Sequence, residues 1–206
     1  SMIHRRHGSG AVGWYFGNPG VFSYSHLIAV ISFVNGLGLG SHLYTASSQD
    51  THSRLMASQL LYGTPSSVPI PDLNRTDLLV VIGANPVVSH GSVLTAPRIK
   101  DRLRDVVKRG GRVIVIDPRK TETAAQFDWL GIVPDTDALL LLSMLQVMFA
   151  EHLVDRKQLA RRADGSDWLA VQCAPFTPEL TETVTGVGAG TVRDLARSLA
   201  RTPRAA

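Results

Sequence analysis

The stretch "TDLLVVIGANPVVSHGS", residues 76–92, decides the fold. Five consecutive apolar residues, Leu78–Ile82, run without alternation and stop at Gly83. A strand with no polar face is expected where a sheet is covered on both sides. The turn that follows does not carry the G-x-G-x-x-G spacing of common dinucleotide folds. It offers instead a glycine, an asparagine, a proline and two serines, which leaves open what it holds.

Working outward, the pattern switches to helical spacing over 96–109, where Ile99, Leu103, Val106 and Val107 share one face and Lys100, Arg104 and Lys108 the other. A Gly-Gly pair ends that helix. A second strand is expected over 113–116, ending at Asp117, and a short third one near 130–133. Residues 137–153 then read as an apolar helix, followed by helical pieces near 156–163, 177–184 and 190–201. Strand and helix alternating in this way predict an α/β fold: a doubly wound, mostly parallel sheet with helices on both faces, Rossmann-like. Upstream, residues 1–20 carry five glycines and read as loop. Two helices are expected after them. One runs from Phe22 through Leu27, Val30, Ile31 and Val34, and the other has Leu55, Met56, Leu60 and Leu61 as its stripe and Gly63 as its cap. The chain thus reads as a helical and loop segment, 1–75, and an α/β domain, 76–206.

The bulk composition narrows the function class. With 206 residues, 44% hydrophobic and 18% charged, this is a globular α/β chain whose low charge suggests surface covered by other parts of a larger protein. The net charge of +4 comes without the aromatic and basic interleaving of single-strand nucleic-acid binders. It fits a solvated basic surface or a site for phosphate-bearing ligands. Cys173 is the sole cysteine, which excludes a disulfide framework or an all-cysteine metal site within the chain and fits a reducing, cytoplasmic compartment. The apolar run 138–150 is too short to span a bilayer. The start "SMIHRRHGSG" has no signal-peptide core, and a serine before the methionine suggests a cut piece.

In a doubly wound sheet, ligands sit beyond the carboxyl ends of the strands. Three loops leave those ends here: "GANPVVSH", "DPRKTETA" and "PDTDA". In the first, Gly83 permits close backbone approach, Asn85 offers a donor and an acceptor, and Ser89 and Ser92 are hydroxyl donors. An ordinary turn is the alternative. In the second, Asp117 suits ribose hydroxyls, Arg119 and Lys120 suit a diphosphate, and Thr121 and Thr123 add hydroxyls. The alternative is Asp117 capping the segment that follows and Arg119 in a surface ion pair. In the third, Asp135 or Thr136 is a candidate helix cap, and Asp137 matches the two-donor edge of guanine.

Four segments taken together, "GANPVVSHGS", "GGRVIVIDPRKTETA", "PDTDALLLL" and "PFTPELTETVTGV", resemble the molybdopterin oxidoreductase family. Its members include formate dehydrogenases, nitrate reductases and dimethyl sulfoxide reductases. The resemblance implies molybdenum (or tungsten) carried on molybdopterin guanine dinucleotide. It also implies that Gly83, Asn85 and Ser89 line the diphosphate, that Asp117, Arg119 and Thr121 take ribose and phosphate, and that Thr136 and Asp137 take guanine. Asp135 stands where a glycine is common. The segment "YTASSQDTHSRLMASQLLYG" resembles the one carrying the protein ligand to the metal, which makes Asp50 the metal-ligand candidate, with a helix cap as the alternative. His52 is a candidate catalytic proton carrier or a surface histidine, and Asn18 a pterin contact or a turn residue. The family's iron–sulfur cluster domain and its second dinucleotide domain have no counterpart in these residues. The resemblance therefore implies further domains of a parent chain, an electron-transfer partner, and a fragment inactive alone. A nucleotide-binding module of another multidomain enzyme, such as a thiamine-dependent one, and a non-catalytic domain that kept the fold are the alternatives.

Overall fold

Strand pairing in the carboxyl-terminal part follows the apolar runs. The computed structural model describes residues 2–17, 20, 23–39, 42–46, 51–65, 67, 69–91 and 96–206. It divides the chain into two units, Ser1–Pro69 and Ile70–Ala206. In the second unit, β3 (Leu78–Ile82), β4 (Arg112–Ile116) and β5 (Asp128–Leu130) form a parallel sheet in the order β3-β4-β5. Leu78 and Val80 pair with Arg112 and Ile114, and Ile82 pairs with Ile116. On the other side of β3 the chain returns in parallel: the Ala206 N–H donates to the Leu78 carbonyl at 2.9 Å, and the Val80 N–H donates to that of Ala206 at 2.8 Å.

The two faces of the sheet are separate cores, and successive side chains alternate between them. Leu78, Val80, Ile82, Ile114 and Ile116 pack against α6 (Asp137–Ala150) and α10 (Ala189–Arg201), through Leu140, Met144, Val147, Val192 and Leu195. Leu79, Val81, Val113 and Val115 face α5 (Ile99–Lys108), through Ile99, Leu103 and Val106. Both faces covered is why the sequence of β3 shows no polar alternation. The short helices α4 (Pro86–Ser89), α7 (Arg156–Ala160), α8 (Ser166–Cys173) and α9 (Pro178–Thr185) complete the unit. The doubly wound α/β reading holds in this unit.

Several local expectations are corrected. The third strand lies at Asp128–Leu130 and not at 130–133. Ile132 is buried in the α6 face as part of the loop, so the apolar signal came from packing and not from pairing. The helix α8 was not anticipated. Among the described residues of 1–20, α1 (Met2–His7) and β1 (Trp14–Phe16) stand where loop was expected. The glycines fall outside both elements and punctuate them.

In the first unit, β1 pairs in parallel with β2 (Leu43–Thr45), and α2 (Tyr24–Gly36) and α3 (His52–Tyr62) are the two expected helices. The α3 stripe does not form the unit's core. Leu60 and Leu61 are 80% and 74% exposed, and α3 packs instead through Ser58, whose hydroxyl donates to the Ser67 carbonyl at 2.9 Å. Of the α2 stripe, Val34 is buried and Ile31 is exposed.

In α6, the Ser143 hydroxyl is fully buried within the stripe Leu140, Met144 and Val147 and finds no hydrogen-bond partner. An unsatisfied buried hydroxyl costs about 1–3 kcal/mol. Ser143→Ala is therefore expected to raise unfolding stability by about 1 kcal/mol in urea denaturation. A loss of stability would show that the hydroxyl serves a bond.

Candidate dinucleotide site at the carboxyl rim

The register places the three strand ends side by side. Ile82 pairs with Ile116, and Ile116 with Leu130. The ladder continues one residue further: the Gly83 N–H donates to the Ile116 carbonyl at 2.9 Å, and the Asp117 N–H to that of Leu130 at 3.2 Å. With strands about 4.8 Å apart, the three loops therefore start within about 10 Å of one another. The chain runs from β3 through β4 to β5 in one direction and then returns to the far side of β3. The strand order thus reverses beside β3, and the crevice of a doubly wound sheet opens at such a reversal. The loop 83–89 leaves β3 at that crevice.

The first two loops are clamped to each other. Asn85 Oδ1 accepts from the Thr123 backbone N–H at 3.2 Å and from the Thr123 hydroxyl at 2.7 Å. The same hydroxyl accepts from the Val87 N–H at 3.1 Å. Because Oδ1 faces a backbone donor, the amide orientation is fixed and Nδ2 points the other way. Nδ2 donates to Glu122 Oε2 at 2.7 Å. The Glu122 carboxyl is held below the usual carboxylate range by the backbone N–H it accepts from, then by the Asn85 amide, with the positive charge of Arg119 adding to both.

Around this clamp the expected residues fall into two groups. Gly83 takes φ 60, and nothing lies within 4 Å of where a Cβ would stand, so the backbone is open to a ligand. Asp117 Oδ1 accepts from the Arg119 N–H at 2.8 Å, which leaves its second carboxylate oxygen outside that turn. The side chain of Arg119 is 71% exposed and stands 3.9 Å from Glu122 Oε2. Lys120 lies 5.8 Å from the Trp129 ring centroid, and the Trp129 indole N–H donates to the Asp117 carbonyl at 2.9 Å, so β5 braces the second loop. Ser89 is exposed and borders a cavity of about 380 Å³ shared with Leu79, Val81, Ile99 and Leu103 on the α5 side.

The second group is turned inward. Thr121 is buried and its hydroxyl accepts from the Ala124 N–H at 3.1 Å, and Thr123 is buried in the clamp. Both hydroxyls serve the loop, where the sequence reading had them as donors to a ligand. Thr136 is buried at the start of α6, and its hydroxyl donates to the Val133 carbonyl at 2.7 Å without capping the helix. Asp135 caps nothing either and takes φ 62, the conformation a glycine adopts most easily. Asp137 is half-buried in the first turn of α6, where a carboxylate is favoured by the helix dipole. In the first unit, His52 is exposed at the first position of α3, with Thr51 at the N-cap. Asn18, Asp50 and Ser92 lie outside the described residues.

The clamp and Glu122 were missed in the sequence. Asn85 and Thr123 are 38 residues apart, and no local spacing marks them as partners.

A family model described as molybdopterin oxidoreductase matches residues 1–190. This chain belongs to the molybdopterin oxidoreductase family. It is 33% identical over 138 residues to formate dehydrogenase H of Escherichia coli, which covers 66% of the chain and 18% of that protein. It is 31% identical over 176 residues to the dimethyl sulfoxide/trimethylamine N-oxide reductase of Cereibacter sphaeroides, covering 81% of the chain and 21% of that reductase. Acetylene hydratase from Pelobacter acetylenicus shares the fold across 100% of the chain and 27% of its own, with a TM-score of 0.75 at 23% identity. The chain thus spans about a fifth of the curated molybdopterin relatives it matches. Among its described residues no helix is long and apolar enough to cross a membrane.

Proposed function

We propose that this chain binds one molybdopterin guanine dinucleotide along the carboxyl rim of its sheet, as the dinucleotide-binding part of a larger molybdenum-dependent oxidoreductase. The observation that carries the reading is the rim itself: three strand ends in register, two of their loops locked by Asn85 and Thr123, at the point where strand order reverses. The donor set fits an extended dianion, with an open backbone at Gly83, an amide at Asn85, the exposed guanidinium of Arg119 and the Lys120 ammonium. Arg119 and Lys120 offset the diphosphate charge, Asp117 accepts from ribose hydroxyls, and Asp137 accepts from the guanine edge. Thr121 and Thr136 support these contacts from beneath. By the family resemblance, Asp50 would hold the metal, His52 would carry protons, Asn18 would contact pterin and Ser89 would contact phosphate. When bound, the cofactor supplies a metal that cycles between oxidation states, the redox chemistry that no side chain here provides. The relatives' names favour formate-dehydrogenase or reductase chemistry for the full-length enzyme.

Guanosine diphosphate stands in for half of the dinucleotide. Titration calorimetry is expected to show it binding the chain, with Asp117→Ala weaker by about tenfold, the worth of a hydrogen bond to a charged group. Adenosine diphosphate binding as well as guanosine diphosphate would overturn the guanine assignment. No binding of either would overturn the site. For the full-length enzyme, Asp50→Ala is expected to lose metal content.

A further inference from the structure

We infer that Glu122 is a built-in counter-anion, standing where the cofactor's diphosphate is to sit and setting a displacement cost that weakly held, singly charged anions do not overcome. The inference rests on the reading above that the rim is a diphosphate site. A single oxygen carries it. Glu122 Oε2 accepts from Asn85 Nδ2 at 2.7 Å and stands 3.9 Å from Arg119 Nη2. Asn85 and Arg119 are side-chain donors from the first and the second loop respectively. An incoming anion that engages Asn85 Nδ2 and Arg119 Nη2 together competes with that oxygen for the space between them.

The local chain explains why the carboxylate can yield. Thr121 and Thr123 on either side of Glu122 are buried at 3% and 0% exposure, so the backbone at 122 is fixed. The Glu122 side chain itself is 57% exposed and free to swing into solvent. The Asn85 amide stays in place when it leaves, because Oδ1 remains held by Thr123. Exposed ion pairs are weak, so the cost of displacing the carboxylate is small; a dianion, which gains more at Arg119, offsets it, and a monoanion does not. Without it, Asn85 and Arg119 would face water with no acidic partner, and small anions would occupy them.

The test uses inorganic pyrophosphate and chloride on the whole chain. Calorimetry in low salt is expected to show Glu122→Gln binding pyrophosphate about fivefold more tightly than the wild type. Glutamine keeps an acceptor for Asn85 but not the charge. The gain should shrink as salt is raised. Chloride should compete against pyrophosphate better in Glu122→Gln than in the wild type. Arg119→Ala should weaken pyrophosphate binding in either background. If Arg119→Ala weakens binding while Glu122→Gln leaves it unchanged or weaker, the counter-anion role is overturned and the diphosphate site stands. If neither protein binds pyrophosphate, the site and the counter-anion fall together. A urea midpoint for Glu122→Gln equal to the wild type's confirms that folding is not the cause of any change.

Discussion

Asn85→Ala is expected to lower unfolding stability by about 2 kcal/mol and guanosine diphosphate affinity by about 30-fold. The stability loss comes from the other side of the clamp. Thr123 is fully buried, and its N–H and hydroxyl both lose the acceptor they share. A buried donor left without a partner costs about 1–3 kcal/mol. The affinity loss has two sources: the amide that faces the rim disappears, and the loop 83–89 is no longer tied to the loop after β4. Asn85→Asp separates them. A carboxylate still accepts from Thr123, so most of the stability should return, but its second oxygen now faces Glu122 and repels any phosphate. Urea denaturation and calorimetry on the two variants check this. Wild-type stability in Asn85→Ala would show that the clamp carries no weight. Wild-type affinity in Asn85→Asp would remove the amide from the ligand set.

The same residue shows how far the sequence could be read. β3 was legible to the residue, because five apolar side chains bounded by Asp77 and Gly83 have no other way to be buried. The convergence of the strand ends followed from alternation alone, since successive parallel strands deliver their loops to one rim. What escaped is what depends on distant pairing. Thr123 read as a hydroxyl for a ligand because the partner that turns it inward lies 38 residues upstream. Thr121 accepts locally from the Ala124 N–H, a turn the sequence pattern allowed but did not single out. Glu122 was passed over because a lone glutamate between threonines has no pattern. In the first unit, periodicity found α2 and α3, but it could not say which side would be covered. Leu60 and Leu61 share the predicted stripe and are exposed, while the small Ser58 faces inward. A hydrophobic stripe is evidence of a helix and only indirectly of where its partner surface lies.

The turn between α5 and β4 carries a second large effect, and it reaches the rim through the strand. Gly111→Ala is expected to cost about 3 kcal/mol, at the upper end for overpacking. A Cβ at Gly111 would stand 2.5 Å from the Asp77 carbonyl oxygen and 2.9 Å from that of Val106. Neither is the end of a flexible side chain. The Asp77 carbonyl accepts from the Arg112 N–H at 2.7 Å, the first rung between β3 and β4, and the Val106 carbonyl accepts from Gly111 itself at 3.0 Å. Relief therefore requires β4 to move away from β3 or α5 to move away from both. Gly110 is the control. It takes φ 87 but has open space around its Cβ position, so Gly110→Ala should cost only about 1 kcal/mol of backbone strain. If crowding at the rung is the cause, Gly111→Ala alone should also weaken guanosine diphosphate binding. A displaced β4 shifts Ile116 and Asp117 against Ile82 and Gly83 at the far end of the same ladder. Equal stability losses in the two variants, or an unchanged affinity in Gly111→Ala, would show that the rim does not depend on how tightly the strands meet at their start.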